Sequence, residues 1–326
     1  MKNKINNTKI FIGPMSNNII SNVINVSNKN NTNIGLIASR RQIDHDYGYV
    51  NTTKNFVKNI RKKSDNVIVC RDHGGIKQGL KNDNGTLSFF NDKDFDLIHI
   101  DPWKKYQNID DVIRETVDNI KFINTLNEKC LFEVGTEEAI RPYSNEELDY
   151  FLYELKKELG ELFDKIVYAV IQSGTKIIGL KNTGIFNEEK CVNMINICKK
   201  HGVLSKEHNG DYLKDEDIIK RFELGLDAIN IAPEFGVYET SIIYESMNME
   251  QQEKFFNMCF ESKKWVKWFP NDFNPFDNKE ELIKVCGHYL FNDESFIELK
   301  KDIKDIDKKI KKELYIKIKK KIDLWK

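Results

Sequence analysis

The sequence predicts an α/β fold, a TIM (β/α)8 barrel with a C-terminal helical extension, on three observations. Eight short apolar runs recur roughly thirty residues apart, the length of one strand–helix unit. Amphipathic segments at helical spacing lie between them. The residues just after most runs are polar and reactive, as they are at the strand ends of a barrel that carries an active site.

The runs are Lys9–Ile12, Ile34–Ala38, Val67–Cys70, Leu97–Ile100, Leu131–Val134, Ile166–Ile171, Val203–Ser205 and Ala228–Ile231. Strands that alternate with helices lie parallel and cross over right-handed, and eight such units are the number that closes a barrel. Among the helices, Ser144 and Glu147 have the spacing of a capping box, ahead of Leu148, Phe151, Leu152, Leu155 and Leu159 on one stripe. Val117, Ile120 and Ile123 mark another helix, as do Ile218, Ile219 and Phe222. An open doubly wound sheet is the alternative arrangement of these units. No Gly-x-Gly-x-x-Gly or P-loop run follows any strand to support its nucleotide-binding forms. The barrel is expected to close near Ile231, with Glu239–Met247 as its last helix. This puts a barrel domain at 1–247 and a packed helical extension at 248–326. Leu299–Lys326 reads as one docked helix, with Ile303, Ile306, Ile310 and Leu314 inward and a lysine-dense face outward.

Composition narrows the function. The 326 residues carry 51 basic and 51 acidic side chains, which argues against a broad nucleic-acid footprint. At 40% hydrophobic and 31% charged the chain is of ordinary globular composition. No stretch reaches the ~18 apolar residues of a membrane span, and the N-terminus lacks the apolar core of a signal peptide. The six cysteines form no Cys-x-x-Cys pair, so buried thiols and a cytoplasmic location are expected, with no membrane association.

The chemistry is expected at the C-terminal rim. Charged groups that converge there are costly unless they pair, bind metal or meet a ligand. His73 and His208 follow the third and seventh runs, and Glu137 follows the fifth. Two imidazoles and a carboxylate suit Zn²⁺ or a similar divalent ion with an open position. Asp72 and Asp101 are candidate general acid/base groups. Arg40, Arg41 and Arg71 are candidates to hold a phosphate or carboxylate, with Gln42, Gln172, Lys206 and Asp211 as further substrate contacts. Lys206 also opens a Schiff-base mechanism, since a strand-end lysine can attack a carbonyl.

Several segments in order resemble one family. Ala38-Ser39-Arg40-Arg41-Gln42 with Gly48-Tyr49, Asp72-His73-Gly74-Gly75, Ile98-His99-Ile100-Asp101, Gly135-Thr136-Glu137, Gln172-Ser173-Gly174, Glu207-His208-Asn209-Gly210-Asp211-Tyr212 and Ala232-Pro233 are similar to segments of the so-called non-catalytic subunit of class II tagatose-bisphosphate aldolase. That family lies within the wider metal-dependent aldolase group, and the likeness spans roughly residues 8 to 245. The resemblance implies a barrel in which a divalent metal polarises a ketose carbonyl and stabilises an enediolate. It implies Asp72 as proton carrier, His73 as ligand, and Glu137 and His208 as further ligands. The sequence has Asn230 where the family has lysine before its Gly-Pro, and no Gly-Gly-Ser-Gly run after the seventh strand.

The resulting expectation is a metal-dependent sugar or sugar-phosphate aldolase or epimerase. A non-catalytic stabilising subunit of an aldolase complex and a Schiff-base lyase acting through Lys206 are the alternatives. A sugar or sugar phosphate is the expected small-molecule partner, and a second copy or an aldolase subunit the expected protein partner.

Overall fold

The computed structural model describes residues 1–45, 48–76, 78 and 85–325. Eight strands form one closed ring in chain order: β1 (Ile10–Ile12), β2 (Ile34–Ala38), β3 (Val67–Gly74), β4 (Leu97–Ile100), β5 (Leu131–Val134), β6 (Ile166–Ile171), β7 (Leu204–Glu207) and β8 (Ala228–Ile231), which returns to β1. Every neighbouring pair is parallel. This is the TIM barrel, and the open sheet is excluded because β1 pairs with both β2 and β8.

Alternation along the strands builds two apolar regions. Phe11, Ile37, Ile68, Cys70, Leu97, Leu131, Tyr168 and Ala228 fill the barrel's interior, with Ile5 of the helix Lys2–Asn6 beneath them. The Tyr168 hydroxyl donates to Ile5 O at 2.7 Å and fastens that helix to the barrel floor. Gly35 admits the Phe11 ring, because a Cβ there would lie 2.0 Å from it. The opposite strand faces join the surrounding helices in a larger core that also takes in the C-terminal extension.

Several boundaries differ from expectation. β7 is Leu204–Glu207 rather than Val203–Ser205, so Lys206 and Glu207 lie inside the strand, and β1 starts at Ile10 rather than Lys9. β3 runs on to Gly74, because Gly74 pairs with Ile100 across a register shift that begins after Arg71. The helix after β8 is Pro233–Tyr244 rather than 239–247; Pro233 sits in its first turn, where a missing N–H costs nothing. The C-terminal stretch is two helices, Glu294–Lys301 and Ile306–Ile322, broken at Asp305, whose φ is 56°. The last helix buries Ile306, Ile310, Leu314, Ile318 and Ile322, about 2 kcal/mol of transfer free energy per side chain before ordering costs. Its lysines meet acids of the barrel: Lys317 lies 2.8 Å from Glu234, and Lys320 2.6 Å from Asp215. Elsewhere Ser144 and Glu147 make the capping box of Asn145–Leu159. All six cysteines are buried and free, and no described helix is long and apolar enough to cross a membrane.

Candidate active site

At the C-terminal end of the ring, Asp72 and His73 of β3, His99 of β4 and His208 after β7 bring their donor atoms within 4.8 Å of one another. The His73, His99 and His208 rings have centroids 4.9 to 5.5 Å apart. Each imidazole has one nitrogen held by an oxygen, and His99 Nδ1 also accepts from the His73 backbone N–H at 3.4 Å. His73 Nδ1–H donates to Asp101 Oδ2 at 2.6 Å, His99 Nε2–H to Gly135 O at 2.9 Å, and His208 Nε2–H to Glu133 Oε1 at 2.6 Å. Carboxylates and carbonyls only accept, so each contact places a proton on the ring nitrogen that faces the oxygen. The second nitrogens, Nε2 of His73 and Nδ1 of His99 and His208, face the shared point. Oxygen-held imidazoles of this kind are the usual outer support of a metal site.

Local backbone serves the same end. His73 has φ 45°, the left-handed region, at a cost of roughly 1–2 kcal/mol for a residue with a Cβ. It sits in the β3 bulge, which turns its ring away from the strand's regular alternation. Gly135 has φ 106°, which suits glycine, and its carbonyl is the one that His99 needs.

Behind the imidazoles lies a buried charge pair. Lys206 Nζ donates to Glu133 Oε2 at 2.6 Å and lies 3.6 Å from the Phe11 ring centroid. Burial acts to raise the Glu133 carboxyl, but Lys206, His99 and His208 outweigh it and hold it well below the ordinary range. Burial acts the same way on Asp72 and Asp101, and the facing imidazoles again prevail, leaving both low. His73 is the counterpart. Desolvation lowers it, while Asp72, Asp101 and Glu137 together lift it to about 10. His208 stays below its ordinary value because burial dominates.

The structure brings His73, Glu137 and His208 to one mouth. Glu137 Oε2 stands 3.9 Å from His73 Nε2 and 4.0 Å from His208 Nδ1, and accepts from Asn209 Nδ2 at 2.8 Å. The fourth donor of the cluster is thus Asp72, with Glu137 at its edge. Asp101 lies behind His73 and accepts from Thr136 and the Trp103 amide as well. His99 appeared in sequence only within the family-like segment Ile98-His99-Ile100-Asp101, and neither it nor Glu133 was given a role there. Their signal was a polar side chain inside an apolar strand, and they are register partners in β4 and β5.

Several expected substrate contacts belong instead to the barrel wall. Arg40 and Arg71 both clasp buried Asp92, at 2.5 and 2.8 Å. Gln172 ties the β5 loop through Thr136 O, Arg141 O and the Tyr143 amide. Lys206 is fully buried against Glu133, so the Schiff-base reading fails on access. Arg41, Gln42 and Asp211 do line a cavity of about 250 Å³ over the histidines, with Asp72, His73, Glu137 and His208 in its wall. That volume suits a metabolite rather than a drug-sized ligand.

The extension completes this cavity with Lys267, Trp268 and Tyr289. Its mouth segment is tied down at two points. Gly179 N–H donates to Trp268 O at 2.8 Å, and Asn292 Nδ2 donates to Tyr49 O at 2.7 Å.

No protein-family model matches the chain, and no curated protein matches it. Solved structures do. A probable tagatose 6-phosphate kinase from Sinorhizobium meliloti 1021 is 13% identical, with 91% of this chain and 87% of that one covered and a TM-score of 0.75. The fructuronate–tagaturonate epimerase UxaE from Cohnella laeviribosi is 12% identical over 98% and 81%, at 0.65. The YdjI aldolase from Escherichia coli K12 is 13% identical over 94% and 96%, at 0.53. At these identities the likeness is one of fold.

Proposed function

We propose that this chain is a metal-dependent enzyme of the aldolase or epimerase class, acting on a sugar or sugar phosphate. The observation that carries the reading is the set of three oxygen-held imidazoles gathered with Asp72, of which His73 and His208 line a strand-end cavity. The names of the fold neighbours and the order of class II aldolase-like segments support it.

The residues fit a cation on their own chemistry. Asp72 Oδ1 is buried with no hydrogen-bond partner, an orphan that a cation would satisfy. Three nitrogens and one carboxylate oxygen are a donor set that Zn²⁺ accepts. His73, His99, His208 and Asp72 are the holders. A divalent ion held there would polarise a ketose carbonyl and so make a proton beside it, or the adjoining carbon–carbon bond, easier to break.

The chain's own groups do the rest. Glu133, Asp101 and the Gly135 carbonyl keep the rings in place, so no reorganisation is needed on binding. Glu137 lines the cavity beside the cluster, and its Oε2 is the atom placed to take and return a substrate proton. Asn209 orients that carboxylate. Trp268 and Tyr289 add aromatic wall to the cavity.

The decisive experiment combines elemental analysis with a screen of ketose phosphates and ketouronates for cleavage or epimerisation. About one equivalent of divalent ion and chelator-sensitive turnover are expected. His99→Ala and His208→Ala should lose ion and activity together. Glu137→Gln should keep the ion and lose about 100-fold or more in kcat. Protein that retains no ion after incubation with zinc, manganese or cobalt would overturn the reading and leave a non-catalytic barrel.

A further inference from the structure

Basic residues at this end of the barrel fall into two groups. Arg40, Arg71, Lys206 and Arg221 are buried and face Asp92, Glu133 and Glu207. Arg41, Lys104 and Lys267 line the cavity, and among the described residues no carboxylate lies within ion-pair distance of them. They come from three places: the loop after β2, the turn Pro102–Lys104 after β4, and the extension.

We propose that Arg41, Lys104 and Lys267 form an anion-binding subsite at the mouth of this cavity, which takes the phosphate or carboxylate end of the substrate while its carbonyl end meets the histidine floor. The inference rests on the functional reading above and names its substrate class: an anionic sugar.

The charge distribution supports it. Asp72 and Glu137 line the cavity as part-buried side chains and the three cations as exposed ones, so charge of the two signs is segregated by exposure. The cations are close enough to oppose one another. Desolvation, then Arg41, lowers Lys104, while Asp101, Glu137 and Asp72, beyond ion-pair distance, pull it the other way by less. Lys267 remains solvent-exposed as a residue, yet the protein packed around its ammonium, then Arg41, Lys264 and Lys104, bring it down to about 7. Like charges gathered without an internal counter-ion cost free energy, and a bound anion offsets that cost through charge-assisted hydrogen bonds. A guanidinium with two ammonium groups supplies donors on several sides of one phosphate or carboxylate group. Lys267 gives the extension a role in recognition.

The test is calorimetric binding to ion-loaded protein of four probes: inorganic phosphate, glucuronate, fructose 6-phosphate and neutral fructose. Arg41→Gln and Lys267→Met should each weaken the preferred charged probes by about tenfold and leave fructose unchanged. Metal content and melting temperature should stay at wild-type values. A preference for phosphate-bearing probes identifies a phosphorylated substrate, and a preference for glucuronate a sugar acid. Equal binding of fructose 6-phosphate and fructose, no measurable binding of any charged probe, or undiminished binding in both variants would overturn the subsite. Loss of the ion with retained charge preference would defeat the metal reading alone. A bound ion without charge preference would defeat the subsite alone.

Discussion

Glu133 shows most clearly what a single residue does here. It sits in the apolar strand Leu131–Val134, accepts from Lys206 with one oxygen and from His208 with the other, and is fully buried. It therefore neutralises a buried ammonium and orients a candidate ligand together. Removing one partner of such a pair leaves an uncompensated charge, which costs about 3–5 kcal/mol. Glu133→Gln should show that loss in urea unfolding, and Glu133→Gln with Lys206→Met should recover most of it. If the single variant unfolds like wild type, the pair contributes nothing to stability. The rim residues His73 and His208 were legible because a histidine just past an apolar run is conspicuous. His99 lies inside its run, where one polar residue reads as an interruption of the strand. Only the register that sets His99 beside Glu133 reveals its place.

Elements act by handing groups to one another. The loop after β7 supplies Asp211, whose Oδ1 accepts from the Ala232 and Glu234 amides at 2.9 and 2.7 Å. That contact caps Pro233–Tyr244, the helix that follows β8. Burial, then the charge of Glu234, raises the Asp211 carboxyl to about 7, against an ordinary value near 3.8. The folded state thus prefers the proton. The associated stability is fully present below about pH 4 and is lost as pH rises through about 7. Asp211→Asn keeps an accepting oxygen and has no such titration. It should gain on wild type by about 4 kcal/mol between pH 4 and 7.5, read from unfolding midpoints across that range. A difference that is flat with pH would remove the argument. Element identity was largely readable: the eight runs and the Ser144 capping box stand where periodicity put them. The ends were less so. The Gly74 extension of β3 depends on β4, and the break at Asp305 depends on where two helices dock.

At the scale of the whole molecule the extension forms part of the cavity wall. Its last helix packs on Asn17–Asn30 and Pro233–Tyr244, while its middle segment carries Lys267, Trp268 and Tyr289 to the cavity. Leu314, fully buried on that helix, tests the docking. Leu314→Ala should cost about 2–5 kcal/mol. The loss should appear as a single transition of the whole chain, followed by fluorescence and circular dichroism together. An early separate transition of the extension would show that it docks independently of the barrel. Asn292→Ala acts at the mouth instead. It removes the tie to Tyr49 and Val50 and should raise KM several-fold with metal content unchanged.

Local patterning was sufficient to determine the alternation of strands and helices and to favour a barrel, because periods of 2 and 3.6 residues are written in consecutive positions; closure rests on the pairing of β1 with both β2 and β8. It also placed His73, Glu137 and His208 on one rim. Tertiary structure alone decided which charges remain open to a ligand. Arg40, Arg41 and Arg71 look alike in the chain, yet Asp92 takes two of them and leaves Arg41 facing the cavity. Ion pairing between distant segments depends on distance and burial in space, and neither quantity is carried by sequence spacing.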